Sequence, residues 1–151
     1  MSTLKERAHK DLVAAMRLRD ELCVATMRML LSAVTGEEKA GTTERELSDD
    51  EVVTVISREV KKRREAAVAY EEVGHPEKAM RELAELAVLM EYLPKQLDTV
   101  EVAALVSAAI VATGAQSVRQ MGLVMKELGP ATAGKVDGAT LSGEVKRQLG
   151  V

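Results

Sequence analysis

A chain of 151 residues has the length of one ordinary domain or two small ones. Apolar residues make up 46% of it and charged residues 30%, which is typical of a folded globular protein and excludes a disordered tail. Two Tyr, no Phe and no Trp argue against a site that stacks bases or sugars, and a net charge of −3 excludes a strongly basic nucleic-acid binder.

The first predicted element is one long amphipathic helix. Apolar residues recur every three, four or seven positions from Leu4 to Val34, which is the pattern of a helical stripe. No Pro or Gly interrupts the stripe before Gly36. The polar segment that follows predicts a loop, with Gly36 and Gly41 as breakers.

Two further long helices are predicted after this loop. Ser48, followed three residues later by Glu51, predicts a capping box at the start of the second helix. Its apolar stripe stops at Gly74. Pro76 then suits the first position of a third helix, where the missing N–H breaks no hydrogen bond, and Pro94 ends that helix.

Three shorter helices are predicted in the rest of the chain, over about residues 98–113, 117–128 and 139–149. The first two begin with capping pairs, Asp98 with Glu101 and Ser117 with Gln120. A glycine follows the first and the last helix, where the left-handed C-terminal conformation favours it.

These elements predict an all-α protein in two parts. We expect an N-terminal three-helix bundle of long helices in residues 1–95 and a small C-terminal three-helix domain in residues 96–151. Residues 1–93 carry 15 Lys and Arg against 19 Asp and Glu, and residues 94–151 carry 6 against 5. Neither balance dictates a partner.

Few residues are suited to catalysis or metal binding. Cys23 stands alone, so neither a disulfide nor a thiolate zinc site is expected. His9 and His75 lack metal-motif spacing and have no acid–base partner at a recognisable distance in sequence. We therefore expect no catalytic residue, no metal and no cofactor. The charged N-terminus and the short apolar runs predict a cytoplasmic protein without membrane contact.

The densest charged feature lies in the second long helix. Its cations are Arg58, Lys61, Lys62, Arg63 and Arg64. One interpretation is a phosphate-contacting patch that confers affinity without sequence specificity. The other is a solvated face whose charges pair along the helix with Glu59 and Glu65, which is common for basic runs.

The loop over residues 129–138 contains glycines, a threonine and Lys135. It lacks the GxxxxGK[ST] spacing and no strand precedes it, so nucleotide binding is not expected there. The glycines favour a turn, and Asp137 can cap the last helix. Contact of this loop with a ligand or RNA stays an alternative.

Five strings occur in an order that resembles a known family. They are RMLLSA at 28–33, REVKKR at 58–63, EYLPKQL at 91–97, MGLVMK at 121–126, and Asp137-Gly138 with Leu141, Ser142 and Val145. Together they resemble the YqeY family, whose C-terminal part is similar to the tail of the B subunit of glutamine-dependent tRNA amidotransferases. The resemblance covers nearly the whole chain.

The resemblance implies an all-helical fold with a larger N-terminal bundle and a small C-terminal domain. In the amidotransferase complex the related tail helps to grip tRNA, whereas glutamine hydrolysis and ATP-dependent activation belong to domains that this chain lacks. The resemblance therefore implies a non-catalytic module that contacts tRNA or an aminoacyl-tRNA-handling protein. The tail cations expected to contribute are Lys126, Lys135, Lys146 and Arg147. An alternative is an accessory component of a carbon–nitrogen ligase with glutamine as amido-N-donor.

Overall fold

The computed structural model describes residues 3–150, and all regular structure within that range is helical, which confirms the all-α prediction. The chain divides into two compact units, one ending at Leu93 and the other beginning at Pro94. The N-terminal helices are α1 (Thr3–Leu18), α2 (Glu21–Glu38), α3 (Asp49–Glu72) and α4 (Pro76–Met90). The C-terminal helices are α5 (Thr99–Thr113), α6 (Met121–Thr132) and α7 (Gly138–Leu149), with a short 3₁₀ helix (Val118–Gln120) before α6.

Apolar side chains from all four helices build the core of the N-terminal unit. Ala8 of α1, Leu30 of α2, Ile56 of α3 and Leu89 of α4 are at most 2% exposed. Met27 is buried with them, where an unbranched thioether fills space that a chain poor in aromatic rings leaves open. The apolar stripes therefore bury one another, as a helical bundle requires.

The single first helix predicted over residues 4–34 is wrong, because the chain breaks at Arg19 and Asp20. Arg19 has a φ of 57°, and its N–H donates to the carbonyl of Met16 (3.2 Å). The N–H of Asp20 donates to the carbonyl of Ala15 (3.0 Å). These two bonds form a Schellman motif, which satisfies the last carbonyls of α1 and turns the chain into α2.

The end of α2 also differs from the prediction. Asp20 caps its first turn, and the helix runs past the predicted breaker Gly36 to Glu38. The carboxylate of Glu38 is buried, where it accepts from Lys5 Nζ (2.6 Å) and from the N–H of Leu47 (3.3 Å). These bonds join the end of α2 to α1 and to the loop before α3, so the last turn is held in place despite the glycine.

The helix α3 begins and ends as its sequence signals predict, and α4 begins as predicted but ends at Met90, four residues before Pro94. The capping box is confirmed, since Ser48 Oγ accepts from the N–H of Glu51 (3.3 Å) and Glu51 Oε2 accepts from the N–H of Ser48 (3.1 Å). A second Schellman motif closes α3 at Gly74, which has a φ of 78°. The next N–H donates to the carbonyl of Tyr70 (2.8 Å), and Pro76 then opens α4.

The C-terminal unit has its own core. Val106 of α5, Val124 of α6 and Val145 of α7 are fully buried and belong to one core shared by the three helices. Asp98 caps α5 by accepting from the backbone N–H three residues on (2.7 Å), and Gly114 ends the helix with a φ of 68°. Both features confirm the prediction.

Two details of the C-terminal unit correct the prediction. Ser117 makes no side-chain cap, and a 3₁₀ turn rather than an α-helix follows it. The helix α6 does not stop before Gly129 but continues through Pro130 to Thr132. Its last turn is held because Leu128 and Thr132 are buried and the Thr132 hydroxyl donates to the Leu128 carbonyl (2.8 Å). The predicted loop over residues 129–138 is therefore a short turn after α6.

No single helix between residues 3 and 150 is both long and apolar enough to cross a membrane. The segments Thr99–Thr113 and Val118–Thr132 reach that length and hydropathy only together, as two pieces bent by 89°. Over the same described range, His, Cys, Asp and Glu side chains form no group of three that could hold a metal ion.

Candidate nucleic-acid interface

Most of the basic run of α3 is paired with acids of the same unit. Arg58 Nη1 lies 3.3 Å from a carboxylate oxygen on α2. Lys61 approaches Glu65 at 4.0 Å, and Lys62 approaches Glu59 at 3.7 Å. The two lysine pairs have the three- and four-residue spacing of neighbours on a helix surface. They reduce the positive potential that a phosphate would meet at this face.

Arg63 lies inside the bundle, not on the basic face. Its side chain is 4% exposed, and Nη1 donates to Glu59 Oε2 (2.9 Å). Nη2 lies 2.8 Å from Met29 Sδ, and Nε forms an ion pair with Glu85 Oε2 at 3.4 Å without a hydrogen bond. The guanidinium thus joins α3 to α2 and α4. This placement corrects the prediction for Arg63, since a buried group held by two carboxylates is not available to a phosphate.

Arg64 is exposed and forms no ion pair with any residue between 3 and 150. The same helix exposes Glu65, Glu71 and Glu72 within about two turns of it. One unpaired cation among several acids does not make a strong phosphate-binding patch, because such affinity rises with the number of contacts. The contacts of α3 therefore fit a solvated, internally paired face.

The C-terminal unit presents two lysines in a different setting. Lys126 on α6 and Lys146 on α7 are exposed, and neither is ion-paired within the described part of the chain. Gly122 precedes the first by four residues and Gly143 precedes the second by three, so each shares a helix face with its lysine. Space is open where a side chain of either glycine would stand. Each lysine therefore adjoins a strip of bare helix backbone.

Arg147 is exposed but already bound to an acid. Its Nη2 donates to Glu144 Oε1 (2.6 Å) and its Nε to Glu144 Oε2 (2.9 Å), which is a bidentate fork. Gln148 Nε2 adds a third bond to the same carboxylate (2.8 Å). The bonds from Arg147 and then Gln148 lower the pKa of Glu144 to about 2. A phosphate would have to compete with this carboxylate for Arg147.

Lys135 lies in the turn between α6 and α7, which the segment before α5 holds in place. It is half-buried, and its carbonyl accepts from the N–H of Leu97 (2.8 Å). Gln96 Nε2 donates to the carbonyls of Gly134 (2.8 Å) and Pro94 (2.9 Å). Sequence reasoning missed Gln96 as a structural residue, because it belongs to no helix and no periodicity marks it.

The three residues considered for catalysis lie on separate elements. His9 is exposed on α1, and His75 stands at the start of α4 with its ring edge-on to Tyr70 (6.5 Å between centroids). Cys23 lies in the first turn of α2. Its hydrogen bond with Asp20, followed by burial, raises the pKa of the thiol to about 11. Cys23 is therefore protonated at neutral pH and is a weak nucleophile.

The comparison with known families covers both units of the chain. A family model described as Yqey-like protein matches residues 5–149, from the first turn of α1 to the end of α7. The matched range includes the basic run of α3 and both lysine-bearing helices of the C-terminal unit. None of the curated proteins matches the chain.

Proposed function

The chain belongs to the YqeY family, and from that premise we propose that it is a helical binding module whose C-terminal unit contacts the phosphate backbone of tRNA. The contact is made through Lys126 on α6 and Lys146 on α7. In this function the chain binds and positions the nucleic acid, and any amidation chemistry belongs to the proteins that work with it.

The observation that carries the proposal is the bare backbone beside each unpaired lysine. Glycine inside a helix lowers stability by roughly 0.5–1 kcal/mol relative to alanine, and it is tolerated where a ligand approaches the backbone closely. Gly143 occupies such a position in the middle of α7, one turn before Lys146. A phosphate backbone needs close approach and positive charge, and it needs no aromatic platform.

Three of the five acids of the C-terminal unit support the same function. Asp98 and Asp137 are held at helix N-termini, where they accept backbone N–H bonds of 2.7 Å and 2.9 Å. The backbone bond from Glu101 lowers the pKa of Asp98. Glu144 is held by Arg147. Because these carboxylates are engaged by their own elements, they leave Lys126 and Lys146 unpaired.

The test is tRNA binding to the full chain over a range of salt concentrations. Affinity falls as salt rises, so the slope of log affinity against log salt is negative. We expect Lys126→Ala combined with Lys146→Ala to reduce the magnitude of this slope by about 2, one per lost phosphate contact. Arg28→Ala combined with Lys39→Ala is the matched control, since it removes two exposed cations from α2 and its end. The control should keep the slope of the unaltered chain. An equal loss in both variants, or no binding at low salt, contradicts the proposal.

Gly143→Ala separates a binding role of the glycine from a structural one. Open space surrounds the position, so alanine should raise the free energy of unfolding by roughly 0.5–1 kcal/mol. The added methyl group should at the same time weaken tRNA binding, because it stands between the helix backbone and the phosphates. A variant that is more stable and binds tRNA as tightly as before would show that the phosphates do not approach the helix backbone closely at Gly143.

The accessory role implied by the family resemblance is tested with the same protein. Added to a glutamine-dependent tRNA transamidation reaction, the chain should change the rate if it works with that ligase. An unchanged rate at saturating protein, together with salt-dependent tRNA binding, would leave tRNA contact as its function and exclude the accessory role.

A further inference from the structure

The outward face of α1 combines cations with apolar side chains. Lys10, Val13 and Arg17 follow one another at intervals of three and four residues, so they share one side of the helix. Together with His9 and Ala14 they line an open groove of about 420 Å³. All five are exposed residues of the N-terminal unit.

Large apolar side chains stand unburied in the same segment. Val13 is 47% exposed, Met16 49% and Leu18 80%. Single exposed apolar residues are ordinary on protein surfaces, but Val13 and Met16 are three residues apart and share one side of α1, whereas Leu18 lies on another side. A helix that exposes both cations and an apolar patch is typical of a surface that binds an amphipathic partner.

The cations of this segment are free to bind a partner. Lys10, Arg17 and Arg19 are exposed, and none is ion-paired with another residue in the range 3–150. Lys10 and Arg17 lie two turns apart, or about 10 Å along the helix axis, with Val13 between them. Glu6 is an acid on this face one turn before Lys10, and the exposed acids Asp20 and Glu21 follow Arg19 in the chain.

Arg19 occupies a backbone position that favours glycine. It is the left-handed residue of a Schellman motif, and the same motif at the end of α3 has Gly74 there. The left-handed residues that end α5 and α7 are also glycines, Gly114 and Gly150. An L-residue with a side chain is strained in this conformation, so Arg19 lowers stability where glycine would not. Strained residues of this kind are concentrated at functional sites.

We propose that the α1 face, defined as Lys10, Val13, Met16, Arg17 and Arg19, binds an acidic amphipathic helix of a partner protein. An apolar side chain of the partner enters the groove over Val13, and carboxylates beside it pair with the cations on either side. Ala8 and Ala15 turn the other face of α1 into the bundle, so the exposed apolar area suits one side chain of a partner better than it suits insertion into a lipid layer. The apolar floor of the groove distinguishes it from a phosphate-binding surface, and the groove lies on a different unit from the tRNA contact.

The probe is a designed 18-residue helical peptide with leucines three and four residues apart, flanked by glutamates. Titrated into the ¹⁵N-labelled full chain, it should shift amide resonances of residues 9–19. Lys10→Glu combined with Arg17→Glu should weaken its affinity about tenfold, because two attractive contacts become repulsive. Arg28→Glu combined with Lys39→Glu carries the same net charge and should keep the affinity within about twofold.

Arg19→Gly gives the sharper test because stability and affinity should change in opposite directions. Removal of the left-handed strain should raise the melting temperature by about 3 °C, and loss of the guanidinium should weaken peptide binding about threefold. Unchanged or tighter binding would overturn the role of Arg19.

Three further outcomes would overturn the proposal as a whole. A peptide with lysines in place of the glutamates could bind equally well. Phosphatidylglycerol vesicles or poly(U) could shift the same resonances at lower concentration than the peptide does. The chain could also self-associate through α1 without any peptide. None of these outcomes changes the difference in tRNA slope between the unaltered chain and the Lys126 and Lys146 variant.

Discussion

The basic run of α3 places five cations within seven residues, whereas Lys126 and Lys146 lie twenty residues apart on two helices of the C-terminal unit. In α3, acids stand three or four positions from the cations and pair with them. In the C-terminal unit, Asp98 and Asp137 cap helices and Glu144 binds Arg147. The position of the acids, more than the density of the cations, therefore decides where positive charge is free.

Arg63 and Arg64 show the same contrast between neighbours. Arg63 is 4% exposed between two carboxylates, and Arg64 is exposed to solvent. One residue along a helix is a rotation of about 100°, which is enough to move a side chain from the bundle interior to its surface. The difference between these two arginines can be measured directly as stability.

The largest expected effect comes from Arg63→Leu. The variant removes the guanidinium that holds the buried carboxylates of Glu59 and Glu85, and breaking a buried pair costs about 3–5 kcal/mol. Lys62 still lies 3.7 Å from Glu59 and Arg81 3.5 Å from Glu85, so we expect a loss near the lower end of that range. Urea denaturation of the full chain measures the change. Arg64→Leu is the control and should lie within about 0.5 kcal/mol of the unaltered chain. Equal losses in the two variants would remove the distinction between the buried and exposed cations.

The burial of Arg63 had a signal in the sequence. Arg63 follows Val60 by three residues and precedes Ala67 by four, so it stands on the apolar stripe of α3. The helical periodicity that predicts α3 also predicts that Arg63 faces the core. Treating the run as one cationic block concealed this, and the pairing partners Glu85 and Met29 come from other helices that no local pattern identifies.

Local signals predicted the capped ends of the helices well, because each cap depends on residues adjacent in sequence. The Ser48 capping box, the Asp98 cap and the glycine after α5 are of this kind. The break at Arg19 was missed because the apolar stripe continues through it and an arginine stands where glycine is the usual signal. The continuation of α6 through Pro130 depends on burial of Thr132, which only the packed unit provides.

A smaller effect is expected from Asp137→Ala, which tests whether the acids of the C-terminal unit serve its helix ends. Asp137 Oδ1 accepts from the N–H of Thr140 (2.9 Å) as the N-cap of α7. Loss of an N-cap lowers the free energy of unfolding by about 1 kcal/mol. Asp50→Ala, an exposed acid in the first turn of α3 that is not its N-cap, is the control and should cost less than about 0.5 kcal/mol. Because the substitution removes a negative charge from the unit, Asp137→Ala should leave tRNA binding at least as tight as before.

The smallest effect is a change in the titration of Glu144, which measures how firmly Arg147 is held away from a phosphate. The bonds from Arg147 and Gln148 lower the pKa of Glu144 from its ordinary 4.5 to about 2. A carboxyl group whose pKa is lower in the folded than in the unfolded chain stabilises the fold at pH values above the unfolded pKa. For Glu144 this contribution is lost as the pH falls from 4.5 through 2. Carboxyl ¹³C shifts of the labelled chain should follow this titration.

Arg147→Ala decides between a held and a free arginine at the end of α7. The substitution removes the largest cause of the depressed pKa, so the titration of Glu144 should move up toward 4.5. It should also weaken tRNA binding less than Lys146→Ala does, because Arg147 already donates two hydrogen bonds to Glu144. If Arg147→Ala weakens binding as much as Lys146→Ala, the fork opens when tRNA binds. The cations of the C-terminal unit that can contact a phosphate would then be decided by the bound tRNA as well as by the positions of the acidic residues.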